Sequence, residues 1–121
     1  MLLVFLEDGT LDIVSDLAEA QRNYEGVDVE SGVCAFYDET GVYLEPRFTV
    51  PNKYGKFLWI FDWCSSGVYE LIPNPRTTED PLWLALFETS SLSPNKYFKT
   101  MDEVKTYLKS KGAVVDKPTE P

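Results

Sequence analysis

Among the 121 residues there is no histidine, so the side chain that most often moves protons near neutral pH is missing. No His-based dyad, triad or metal site can form. Carboxylates are what remains for catalysis. Asp62 stands in the apolar run Phe57-Leu58-Trp59-Ile60-Phe61-Asp62-Trp63-Cys64, and an acid among apolar neighbours acquires the raised pKa of a general acid. Glu70, expected on the adjacent strand, would be the second carboxylate of a glycosidase-like hydrolase, whose pair sits about 5–10 Å apart. The competing reading has Asp62 near a strand end, hydrogen-bonded to the Ser65-Ser66 turn. Asp8-Gly9-Thr10-Leu11-Asp12 spaces its oxygens like a cation loop but lacks the EF-hand register and closing glutamate. It reads as an acidic turn. No Walker or dinucleotide glycine-rich loop is present. Cys34 and Cys64 belong to no C-x-x-C pair and lie in apolar segments, which reads as reduced, buried thiols. The chain is therefore expected to be non-catalytic, with no cofactor and no metal.

Charge is the next signal. Residues 1–45 carry eleven acids and one base, a net −10, whereas residues 46–121 carry nine acids and ten bases, a net +1. Such asymmetry suits a field aimed at a basic partner, the alternative being a solubilising face. It disfavours direct binding to nucleic acid, since phosphates require a basic patch. The lysines of the two Asn-Lys-Tyr turns, Lys53, Lys56, Lys96 and Lys99, are too few to reverse that. Asp28, Glu30, Asp38, Glu39 and Glu45 are the expected partner-binding acids. Trp59 and Trp63 are the expected aromatic anchors, because such residues dominate interface hot spots. If instead enclosed, the face of Phe57, Trp59, Phe61 and Trp63 is core. A homodimer would cover whatever helices leave bare, so either a monomer or a homodimer is expected.

These features predict a cytoplasmic, acidic protein-binding module that takes a basic protein partner. In size and charge it is similar in type to the immunity proteins that neutralise bacterial toxins. The likeness implies an inhibitor, and no motif supports it. A DNA mimic that inhibits a DNA-binding protein is the second reading, and requires acids in evenly spaced rows. The Asp62–Glu70 hydrolase is the third.

The elements that must position these residues follow from pattern. Mean hydropathy is −0.21 and hydrophobic residues make up 44%, enough for one packed core. No apolar run approaches the roughly 18–20 residues that cross a bilayer, and the acidic start does not resemble a secretory signal. Residues 2–6 and 11–14 flank Asp8-Gly9, which predicts a hairpin. Asp16 with Glu19 predicts a capped helix from Leu17 to Tyr24, stopped by Gly26. Strands are predicted over 33–37, over 42–50 with an edge or bulge at Pro46, over 57–64 and over 68–72. Short turns would join them into an antiparallel meander. Asp80 with Pro81 predicts a helix from Leu82 to about Ser90, and Thr100 with Glu103 a second, ended by Gly112. The predicted fold is α+β: an antiparallel sheet of four to six strands with two C-terminal helices packed on one face. Residues 1–115 form the single domain and 116–121 a flexible tail.

Overall fold

Every position of β1 (Leu2–Leu6) is apolar, and a strand of that kind must be covered on both faces. The computed structural model, which describes residues 1–57 and 61–119, places it inside a six-stranded sheet. The elements that follow are β2 (Thr10–Val14), α1 (Leu17–Asn23), α2 (Gly26–Glu30), β3 (Cys34–Asp38) and β4 (Tyr43–Val50). Then come β5 (Lys53–Phe57), β6 (Phe61–Ser65), β7 (Val68–Pro73), α3 (Leu82–Phe87), β8 (Ser91–Leu92) and α4 (Met101–Ser110). The large sheet runs β7-β4-β3-β1-β2-β8, and β5 with β6 forms a separate two-stranded sheet. The fold is mixed α+β. The sheet is not wholly antiparallel as predicted, because β8 pairs parallel with β2 through Thr10↔Ser91 and Leu11↔Leu92. A two-residue strand is too short for its sequence to show a period.

Alternation sorts the sheet into two buried faces. On one, Leu3, Leu11, Ile13 and Tyr37 pack with Leu82 and Leu86 of α3, Val104 and Leu108 of α4, and Val115. On the other, Val4, Val14, Phe36 and Leu44 pack with Ala20 of α1, Val29 of α2 and Tyr69. The Tyr69 hydroxyl donates to the carbonyls of Ala20 (3.1 Å) and Tyr24 (2.8 Å), anchoring the end of α1 to β7.

The predicted helix starts at Asp16 and Thr100 are present, each with its side chain accepting the amide three residues on. Two other expectations fail. Gly26 does not stop a helix but opens α2, because a Cβ there would meet Asn52 Oδ1 at 2.5 Å. Asp80 caps nothing: Pro81 takes the cap position of α3 with no side-chain bond. The Asp80 carbonyl instead accepts the Tyr37 hydroxyl at 2.5 Å. Asp116, placed in the predicted tail, sits 3.3 Å from Lys109 and 3.8 Å from Lys105.

The apolar run 57–64 is not one strand. Antiparallel pairing from Lys53↔Ser65 to Phe57↔Phe61 reverses the chain inside it. Nor does the meander form, since β7 pairs with β4 and not with β6. The β5–β6 hairpin instead follows on from the β4–β7 ribbon, whose last pair is Val50↔Val68. Asn52 clips the junction. Its Oδ1 accepts the Gly67 amide at 2.6 Å, and its Nδ2 donates to Gly26 O and to Glu30 Oε2, each at 3.0 Å. Gly67 is required there because a Cβ would collide with the Val50 carbonyl. Cys64 is exposed on the hairpin rather than buried, while Cys34 is half-buried.

Candidate functional site

Pro46 shapes the site. The Asp38 amide donates to the Val42 carbonyl at 2.9 Å, and the Asn74 amide to the Tyr43 carbonyl at 2.8 Å. Backbone groups alternate along a strand, so those of residues 42, 44, 46 and 48 point toward β3. Proline has no N–H to give there. The β3–β4 ladder accordingly ends after Tyr37↔Tyr43 and Phe36↔Leu44, while β4 continues through Pro46 paired to β7. The bulge lies at Phe48/Val50, not at the proline. Past Leu44 the two strands part, and a hollow of about 430 Å³ opens between them, lined by Cys34 and Ala35 on one side and Glu45, Pro46 and Phe48 on the other.

Residues 74–81 cross this side of the sheet as a strap, pinned by the Asn74 amide on Tyr43 and by the Tyr37 hydroxyl on Asp80. Two more hollows, of about 450 and 240 Å³, adjoin the first, and Glu79 lines all three. Around them stand Glu7, Glu30, Glu45, Glu79, Asp80 and Glu88, and among the described residues no lysine or arginine lines any of the three. The floor is aromatic: Tyr37 stacks edge-on against Tyr43 (5.6 Å between centroids) and against Phe5 (5.3 Å). Burial, then Asp80 and Glu79, push the Tyr37 hydroxyl up to about 12. Burial, then Glu79 and Glu45, raise Tyr43 in the same sense. Burial, then Asp28, hold Cys34 as a thiol with a pKa of about 11, which makes it a weak nucleophile. The trough thus presents neutral tyrosines and negative carboxylates, the chemistry of a receptor for cationic groups.

The structure brings together two of the predicted site acids, Glu30 and Glu45. Glu30 is also bonded to Asn52 and to the Tyr54 hydroxyl (3.1 Å). Asp28 is exposed on α2 and lines none of the three hollows. Asp38 folds its own turn, accepting from the Thr40 amide, the Thr40 hydroxyl and the Val42 amide. Glu39 accepts the Tyr107 hydroxyl at 2.5 Å. Trp63 lies on the hairpin, 47% exposed, where a Cβ on Gly55 would collide with its indole. Trp59 lies outside the described residues. The hydrolase geometry loses its premise: Asp62 is in β6 opposite Lys56, Glu70 is in β7 opposite Arg47, and those strands do not pair. The sequence reading missed Glu7, Glu79, Asp80 and Glu88 as site residues. The available signal is Glu79-Asp80-Pro81, an acidic pair that also fits a helix start.

No family of known proteins, no characterised protein and no solved structure matches this chain. Among the described residues no helix is long and apolar enough to cross a membrane, and no cluster of three or more Cys, Asp or Glu is placed to hold a metal ion.

Proposed function

We propose that the protein is a non-catalytic acidic binding module that captures a basic protein and, by covering its positive surface, inhibits it. The observation that carries this reading is the trough that, among the described residues, has six carboxylates and no base on its walls. Like-signed charge in a concave site focuses the field and steers a cationic partner. Half-buried Tyr43, backed by the buried ring of Tyr37, supplies apolar contact once the charges meet. The DNA-mimic alternative needs evenly spaced carboxylates. It is less well supported, because Asp8, Asp16, Glu19 and Asp38 are committed to turns and helix starts.

The test is affinity capture from extract of the source organism at low and high salt, comparing the native chain with the variant Glu45→Lys/Glu79→Lys/Glu88→Lys. Basic proteins retained by the native chain at low salt and lost with the variant are the expected result. Acidic partners, or partners indifferent to both salt and variant, would refute the reading.

A further inference from the structure

We infer that the gap beside Pro46 receives an extended basic segment of the partner, added as a strand along the open edge of β4; this rests on the proposed capture of a basic protein. The alternation fixed by the Asp38–Val42 bond turns the Pro46 carbonyl and the Phe48 N–H and carbonyl toward the gap. From the opposite wall it turns the Cys34 N–H and carbonyl inward. Among the described residues the β3–β4 ladder has no pair past Phe36↔Leu44, and none of these groups bonds to the backbone of a turn or loop. An unpaired strand edge is a template for another strand, and main-chain bonds of this kind carry peptide recognition by strand addition.

Charge selects the occupant. Glu45 lies on the same face of β4 as Tyr43, and Glu79 overhangs that face from the strap. Every second side chain of an added strand would meet these two carboxylates, so lysine or arginine at alternate positions fits the site. Glu30 closes the far side of the hollow with a third carboxylate. A second copy of this chain fits poorly, because its own net charge is −9.

The probe is a fluorescein-labelled Lys-Val-Lys-Val-Lys peptide amide, alongside two versions N-methylated at the lysines or at the valines. All three carry the same charge. Anisotropy at low salt should show the parent binding, with at least one methylated version weaker by about tenfold or more, as expected for lost main-chain bonds. Hydrogen exchange at the Phe48 amide should slow when the parent peptide is bound. Equal affinity of all three peptides, or unchanged exchange at Phe48, overturns the added strand. If those equal affinities also fall steeply with salt, the acidic-face reading survives alone. If no peptide binds at low salt, both fall.

Discussion

Glu19 and Glu103 each reach back one residue further than a standard capping box, to the amides of Ser15 (2.7 Å) and Lys99 (2.8 Å). Asp16 and Thr100, in turn, accept the amides of Glu19 and Glu103. Thr100→Ala should therefore lower stability by about 1 kcal/mol, seen as a shift in denaturation midpoint; an unmoved midpoint would mean that the cap does not hold α4. The two thiols should differ as well. Iodoacetamide should label exposed Cys64 first, and Cys34 only slowly, because burial keeps the latter protonated. Peptide mass spectrometry of the labelled chain would read this directly. Burial also raises Tyr24, Tyr37 and Tyr69, with Asp12 adding to the effect at Tyr24. Their folded pKa values exceed the unfolded one near 10, so the unfolded chain gives up its protons first. Stability should be complete below pH 10 and fall as the pH rises toward about 12. Equal denaturation midpoints on the two sides of that threshold would show that these hydroxyls are not sequestered.

Asn52 acts between elements rather than within one, since its amide joins the β4–β7 ribbon, the β5–β6 hairpin and α2. Asn52→Ala leaves the Gly67 amide without that partner and should cost about 1–3 kcal/mol. It should also speed hydrogen exchange in β5 and β6 more than in β1. Uniform change across both would make the clip merely local. Local chemistry explains which elements the sequence revealed. The β1–β2 hairpin and the starts of α1 and α4 rest on motifs contained within four or five residues, and those were readable. The β5–β6 hairpin was not, because unbroken apolar residues fit one long strand as well as two short ones. The short helix α2 was hidden because Gly26 is there for the approach of Asn52, a contact across 26 residues. β8 owes its existence to the amides of Ser90 and Ser91 reaching the Gly9 carbonyl, which no local pattern encodes.

At the scale of the molecule, the charge count along the chain and the charge placed around the trough are different quantities. Counting put the acidity in residues 1–45, yet Glu79, Asp80 and Glu88 come from the near-neutral remainder. Several early acids are meanwhile spent on turns and caps. Only Glu30 and Glu45 were legible as neighbours-to-be. Reversing Glu45, Glu79 and Glu88 to lysine should slow association with the true partner and flatten its salt dependence. Because the three are exposed, each change should alter stability by no more than about 0.5 kcal/mol. Stopped-flow mixing together with denaturation would separate the two effects, and an unaltered association rate would assign the negative field to solubility alone. The parallel β2–β8 pair has a consequence in time. Thr10 and Ser91 are 81 positions apart, so this contact closes a long loop, whereas β1 and β2 meet across a tight turn. During refolding, the Ser91 and Ser93 amides, which bond to Gly9 and Leu11, should gain protection later than the β1–β2 hairpin. On the ribosome, the β1–β2 hairpin keeps a bare flank until Ser91 has been translated, and a nascent chain stalled before that residue would expose the kind of edge from which intermolecular sheets grow.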